Sequence, residues 1–399
     1  MHIVLLHFYS QHPNPVYSQI AEALRRRGHR VWLGAPDENF DLAWHEGNEL
    51  VATLAGPHGD QSWLRWLRLP AALRTRLARL VFVIRLRRFL RRHQPDVVQI
   101  NPASMHWVWL LPLGMASVTQ FVLDWRQIGQ RGGKGLGGKI KAAITGYWRK
   151  VYALFYDQVC FLHEAGAQKL LGRHWQQKGR IVPLAVDEQF LAAQTPDVVD
   201  ESDDGQGTIR FLYVGSLSRV RQLERLIEAA ELLAARNLDF QLHLIGPDNA
   251  EGYYQRIIVQ KGLQKQVAVL PAVPYAQIPP TVLSYDVALA YVPDYPADWQ
   301  YHPTVKVLEY RALGIPILAT DFAPNREIVQ AEDNGLLVAN QPAAWAEGMA
   351  RFIEDQAFRT RCRARARQLR KGVIWSEVAQ QYEALYHEST IKGRHILAT

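Results

Sequence analysis

Short apolar runs alternate with helically spaced segments along this chain, and the alternation starts twice. The first series lies at residues 3–6, 30–33, 97–100, 120–123, 158–162 and 180–183. The second lies at 209–214, 240–245, 267–270, 287–290 and 315–319. Runs of this length without alternating polar residues suit strands buried on both faces. Between them, residues 16–27 place Ile20, Ala23 and Leu24 on one helical face and stop at Gly28, and residues 223–235 have similar spacing. Strand–helix alternation predicts parallel sheets with helices on both faces. Residues 191–208 interrupt the pattern. They run Pro196-Asp197 through Asp200-Glu201-Ser202-Asp203-Asp204-Gly205, with few large apolar side chains, and read as an exposed linker. The expected organisation is a domain over 1–190, a linker over 191–208 and a domain over 209–372, with a helix near 376–390 packing back on the first domain. Two doubly wound domains bind ligands beyond the carboxyl ends of their strands.

The chain has 399 residues, 48% of them hydrophobic, enough for two domains that each bury a core. Cys160 and Cys362 are the only cysteines, and no metal-ligand spacing surrounds them. Neither a disulfide framework nor a zinc site is expected, and a reducing compartment is. The opening Met1-His2-Ile3-Val4-Leu5-Leu6 lacks the basic flank and cleavage site of a signal peptide, so a cytoplasmic location is expected. Residues 97–123 carry no Lys, Arg, Asp or Glu, but Asn101, Pro102, His106, Pro112, Gly114 and Gln120 favour strand, helix, strand over a membrane span.

The net charge of +8 is unevenly placed. Residues 1–190 hold 25 Lys and Arg against 13 Asp and Glu, and the remainder holds 21 against 25. One half is therefore suited to an anionic surface. The acid-free stretch QSWLRWLRLPAALRTRLARLVFVIRLRRFLRRH concentrates this charge. Trp63, Trp66 and Leu67 share a face of a short helix. After Pro70, one stripe is Leu73, Leu77, Leu80 and Ile84, a second is Phe82, Leu86 and Leu90, and Arg74, Arg85 and Arg92 lie between them. A helix needs one stripe for its own core, so the second is available to a membrane interface. Arg85 and Arg88 are candidate contacts to anionic lipid or acceptor, and so is Lys134 in the Gly-rich stretch 131–141. The arginines alternate with Leu, Val and Ile rather than with base-stacking aromatics, which argues against nucleic acid.

Residues 211–230, FLYVGSLSRVRQLERLIEAA, form a strand, a Gly turn, a basic loop and a helix. Residues 304–320, TVKVLEYRALGIPILAT, place Lys306 in the first turn of a helix after Pro303. A cation is disfavoured there unless an anion binds nearby. The helix start at Thr304 and Val305 offers free backbone N–H groups, and Gly215, Ser216 and Gly246 end strands where backbone can approach a phosphate. Arg221 and Lys306 are the candidate cations for a diphosphate. The Gly-rich stretch lacks the order of a Walker A loop, and the chain has no Asp-x-Asp metal motif.

These two segments resemble the nucleotide-binding half of the retaining GT-B glycosyltransferases of family 4. Residues 325–329, 334–338, Trp375-Ser376 and Val182-Pro183-Leu184-Ala185-Val186-Asp187 carry further likeness. The resemblance implies a GT-B fold, two Rossmann-like domains facing across a cleft. It also implies transfer of a sugar from a nucleotide-sugar donor without a metal cofactor. It assigns Glu309 to the ribose hydroxyls, the turn at Ala272 and Val273 to the base, and Asp124 to the neighbourhood of the donor sugar. Two positions depart from the family pattern: Ser216 stands where Arg is usual, and Tyr301 where the first acid of Glu-x7-Glu would fall. The expected acceptor is a lipid-linked or membrane glycan. The rival readings are a nucleotide-sugar 2-epimerase and a non-catalytic partner that keeps the fold. For each isolated cation the bland reading is a solvated surface charge, and for Asp124 a capping or salt-bridged carboxylate.

Overall fold

The structure, a computed structural model, describes residues 1–7, 15–36, 42–54, 70–101, 108–115, 119–125, 144, 147–148, 150–193, 207–294, 304–329 and 333–396. Side chains are described within these segments except at 15, 36, 71, 72, 75 and 389–396. The chain divides into two compact units, Met1–Pro183 with Trp375–Thr399, and Leu184–Ile374.

In the first unit β1 (His2–His7), α1 (Pro15–Arg26), β2 (Arg30–Pro36), β3 (Leu42–Glu46) and β4 (Glu49–Leu54) come first. There follow α2 (Ala71–His93), β5 (Val97–Asn101), β6 (Gln120–Trp125), β7 (Gln158–Phe161), α3 (Glu164–Leu171) and β8 (Gly179–Ile181). The eight strands lie in the order β4-β3-β2-β1-β5-β6-β7-β8. The sheet is mixed rather than wholly parallel, because β2, β3 and β4 pair antiparallel. The β3–β4 connection is only Gly47-Asn48, with Gly47 at φ +68, a conformation that an L side chain rarely adopts. Such a tight turn can join only antiparallel neighbours.

The second unit begins earlier than the acidic composition implies. Helix α4 (Glu188–Ala192) buries Phe190 in a cluster with Val186, Tyr310 and Ile315, so residues 184–192 are packed chain of this unit. The acidic stretch from 194 to 206 lies outside the described residues. The elements that follow are β9 (Ile209–Val214), α5 (Glu224–Ala235), β10 (Phe240–Ile245), α6 (Tyr253–Gln260), β11 (Val267–Leu270), α7 (Ile278–Leu283) and β12 (Val287–Ala290). Then come α8 (Val305–Leu313), β13 (Ile317–Thr320), α9 (Ala323–Arg326), β14 (Gly335–Val338), α10 (Pro342–Glu354) and α11 (Gln356–Gln368). All described pairings are parallel, in the order β11-β10-β9-β12-β13-β14. Chain order reverses between β9 and β12, so the crevice beyond their carboxyl ends is the switch point of the sheet.

The last helix, α12 (Trp375–Ile396), belongs to the first unit. Val378, Tyr382 and Tyr386 are buried on it. The Tyr386 hydroxyl donates to Gln99 Oε1 at 2.6 Å, and Gln120 Nε2 donates to the Leu385 carbonyl. Full burial of one large apolar side chain contributes about 1.5–3 kcal/mol, so this face holds the helix to β5 and β6 although no sequence neighbour does.

Helix α2 resolves the two-stripe expectation. Phe82, Leu86 and Leu90 are buried in the first core, while Leu73 and Ile84 of the other stripe stand 42% and 43% exposed. Arg85 and Arg88 are also exposed, and no described carboxylate pairs with either. No described helix is long and apolar enough to cross a membrane. Trp63, Trp66 and Lys134 lie outside the described residues.

Candidate active site

The strands at the switch point of the second sheet deliver most of the predicted nucleotide residues to one place. Strand β9 ends at Val214 and is followed by Gly215, and Thr304 is the N-cap residue of α8. The Val214 N–H donates to the Tyr310 hydroxyl at 3.2 Å, which ties β9 to α8. Gly215 donates its N–H to the Ile245 carbonyl, and Leu217 to that of Pro247, so the turns after β9 and β10 are pinned together. The approach is close enough that a Cβ on Gly246 would lie 1.9 Å from the Gly215 carbonyl oxygen. A Cβ on Gly215 would sit 3.2 Å from the Tyr213 hydroxyl and 3.4 Å from Lys306 Nζ. Glycine at 215 therefore keeps bulk away from both groups.

Lys306 lies in the first turn of α8, behind the N-cap Thr304. Its Nζ is buried without a hydrogen-bond partner and stands 3.8 Å from the centre of the Tyr213 ring. The hydroxyls of Tyr213 and Thr304 are also buried and without hydrogen-bond partners. Thr304 makes no side-chain cap, so the first-turn N–H groups of α8 receive nothing from it. Burial holds the Lys306 amine well below its ordinary pKa, and the nearby Arg221 guanidinium pushes it the same way. The Tyr213 ring face and Glu309 favour the ammonium, but desolvation outweighs them. Three buried polar groups without hydrogen bonds beside a helix N-terminus are costly unless a ligand uses them. A single such group costs about 1–3 kcal/mol.

Arg221 closes a short turn, Arg219–Arg221, directly after β9. Ser216, at the departure from the family pattern, accepts a hydrogen bond from Asn249 Nδ2 at 2.9 Å. Val273 is half-buried against the core beside Val214 and Leu270. Tyr301 and Pro303 lie outside the described residues.

One turn along α8, Glu309 is 8% exposed. Its Oε1 accepts from the Tyr275 hydroxyl at 3.1 Å. Burial raises its pKa to about 7; the Tyr275 hydrogen bond and Lys306 oppose the shift, and Asp187 adds to it. Sequence reasoning missed Tyr213 and Tyr275. Tyr213 sits inside the motif that pointed to Gly215, but an apolar strand residue gives no hint that its hydroxyl is left over.

Asp124 is placed differently from the expectation. Strand β6 continues through Trp125, so Asp124 lies within the strand rather than at its exit. Its side chain is 1% exposed, and its Oδ2 accepts from Tyr17 Oη at 2.6 Å and Gln99 Nε2 at 3.0 Å. Tyr386 and Gln99 extend this network to α12, and His7, held neutral by burial with its pKa lowered to about 4, packs on Tyr17. Through Oδ2 the carboxylate joins α1, β5 and β6.

Two family models cover most of this chain. "Glycosyl transferases group 1" matches residues 199–369, and "Glycosyl transferase 4-like domain" matches residues 13–187. The chain belongs to the group 1 glycosyltransferases of GT-B fold. Among curated proteins it is similar to a D-inositol 3-phosphate glycosyltransferase of Corynebacterium efficiens, 25% identical over 185 residues, covering 45% of this chain and 42% of that protein. A second, D-inositol 3-phosphate glycosyltransferase 1 of Catenulispora acidiphila, is 26% identical over 206 residues, covering 46% and 45%. The matched region spans less than half the length of these relatives. Among solved structures, sucrose-phosphate synthase from Thermosynechococcus elongatus superposes with a TM-score of 0.69 at 18% identity, over 98% of this chain and all of that one. The Anabaena protein HepE, solved with UDP, gives 0.64 at 15% identity over 97% and 100%.

The raised pKa of Glu309 makes its protonation a stability term. The folded chain keeps a proton between about pH 4.5 and 7 that the unfolded chain releases. Its contribution is therefore complete below about 4.5 and is lost as pH rises through 7. Glu309→Gln removes the cost of the buried charge, and urea denaturation at about pH 8 should show a gain on the order of 2 kcal/mol. The gain should vanish near pH 4.5. A variant less stable than the original at pH 8 contradicts this reading.

Proposed function

We propose that this protein transfers a sugar from a nucleotide-sugar donor to an acceptor, retaining the anomeric configuration, and that the second unit holds the donor's nucleoside diphosphate. The observation that carries this reading is the Lys306 amine, buried without a hydrogen bond beside the free start of α8 and the Tyr213 and Thr304 hydroxyls. The arrangement suits a diphosphate. As the bond between the anomeric carbon and the donor phosphate oxygen breaks, negative charge grows on the departing diphosphate. Preorganised donors in a water-poor site stabilise that charge. Lys306, recharged by the anion, Arg221 and the helix N-terminus supply them without a metal. One turn further on, the Glu309 carboxylate is placed to accept hydrogen bonds from ribose hydroxyls. The base would lie against Val273. Gly215 and Gly246 let backbone approach the phosphates. Retention is inferred from the family.

For the acceptor side, the reading is a lipid-linked or membrane glycan reached from an anionic cytoplasmic surface. Helix α2 supports this with exposed Leu73 and Ile84 beside exposed Arg85 and Arg88. Each basic side chain near an anionic leaflet adds about 1 kcal/mol. The relatives named as D-inositol 3-phosphate glycosyltransferases are consistent with a polar, anionic acceptor group, although the shared region is under half of each.

A non-catalytic role is the second reading, favoured by Tyr301 and Ser216 at the two departures from the family pattern. A thermal-shift screen of UDP, GDP, ADP, dTDP and CMP separates the two. One nucleotide at a hundred times its dissociation constant should stabilise the protein by about 2.7 kcal/mol, and Lys306→Ala should abolish the shift. No shift with any nucleotide favours the non-catalytic role. In vesicle flotation, the protein should rise with anionic but not zwitterionic vesicles, and Arg85→Glu with Arg88→Glu should release it. Protein that stays in the soluble fraction with both lipid types removes the membrane part of the reading.

A further inference from the structure

Among the described residues, Glu309 carries the one buried carboxylate of the candidate donor site, and its hydrogen-bond donor is the phenol of Tyr275. The two residues reach each other from opposite environments. Glu309 is 8% exposed and fixed on α8, whereas Tyr275 is 39% exposed and opens a short turn, Tyr275–Gln277, that follows Pro274 after β11. The ring leans on Phe190 of α4, with ring centres 5.6 Å apart. A hydroxyl from an exposed ring thus occupies one of the two carboxylate oxygens of Glu309.

We propose that Tyr275 stands in for a sugar hydroxyl when the donor site is empty, and that nucleoside binding must displace it from Glu309. This rests on the donor-site reading above and deepens it by naming a residue that sets the affinity for ribonucleosides. A carboxylate oxygen in hydrogen-bond contact with the phenol has less capacity for a diol, which is best served by both carboxylate oxygens. The displacement weakens apparent affinity by the fraction of molecules in which Tyr275 has left. The same contact offsets part of the cost of burying Glu309. Asp187 and burial both disfavour its charge, and the Tyr275 hydroxyl compensates in part. Burial and the neighbouring Glu309 hold the Tyr275 phenol above its ordinary pKa, so it remains a donor throughout the working range. Only a ligand that brings its own pair of hydroxyls replaces what Tyr275 gives. A deoxygenated sugar offers Glu309 no hydroxyl and leaves the phenol in place, so it does not compete with Tyr275.

Tyr275→Phe keeps the ring on Phe190 and removes only the hydroxyl. The test is calorimetric titration at about pH 8.5, where Glu309 is ionised, with whichever of UDP, GDP and ADP the unaltered protein binds. The 2′,3′-dideoxy form of that nucleotide is titrated alongside. Removing the competing hydrogen bond should tighten the ribonucleotide by roughly fivefold and leave the dideoxy form within experimental error of its original affinity. Weaker or unchanged ribonucleotide binding by the variant overturns the proposal, and so does an equal gain for the dideoxy form. If the unaltered protein binds none of the nucleotides, the donor-site reading fails and this inference fails with it. If binding occurs, depends on Lys306 and is indifferent to Tyr275→Phe, only the present proposal fails.

Discussion

The second unit is organised around the burial of the Lys306 amine at the start of α8. A lysine in a dry position is unfavourable in its charged form, and a helix N-terminus makes it more so. The fold surrounds this lysine with Tyr213, whose ring faces Nζ, and with Gly215, which leaves the space above it clear. The sheet topology determines this meeting. Tyr213 and Gly215 close β9, Lys306 follows β12, and these strands flank the point where chain order reverses. Tyr310, four residues along α8, receives the Val214 N–H and fixes the helix against the strand end.

Glu309 extends the same logic. Its helix places it one turn from Lys306, and its burial raises its pKa to about 7. The site thus holds an amine that resists protonation and a carboxyl that resists ionisation. On the proposed reading, the donor brings the complementary groups, a diphosphate and a diol. Two carboxylates of the first unit contrast with this arrangement. In the first unit the buried Asp124 carboxylate is bonded to Tyr17 and Gln99, and Glu383 on α12 is paired with Arg27 and His29.

Much of this architecture was legible in the residues, because buried parallel strands leave short apolar runs and strand ends leave glycines. Lys306 was legible for a sharper reason: it breaks a local electrostatic rule at a helix start. The β3–β4 hairpin was not, since Leu42–Glu46 and Glu49–Leu54 mix buried and exposed side chains at a sheet edge and lack an apolar run. The expected boundary puts 184–190 in the first domain and 191–192 in the linker, whereas Val186 and Phe190 supply core to the second unit. Asp124 shows the limit of carrying a role along a motif. Its position matched, but β6 runs one residue beyond it and packs its carboxylate inward. Tyr213 and Tyr275 escaped notice because a tyrosine's apolar ring satisfies every sequence pattern while its hydroxyl goes uncounted.

On the donor-site reading, the buried Lys306 amine, disfavoured as a cation by its burial, becomes one when it meets a diphosphate. Calorimetric titration of the bound nucleoside diphosphate in buffers of different ionisation enthalpy measures the protons exchanged on binding. At about pH 8.5, with Glu309 already ionised, the account predicts net proton uptake in the unaltered protein and a smaller uptake in Lys306→Arg, whose guanidinium keeps its charge. Binding with no proton exchange, or with net release, would contradict it.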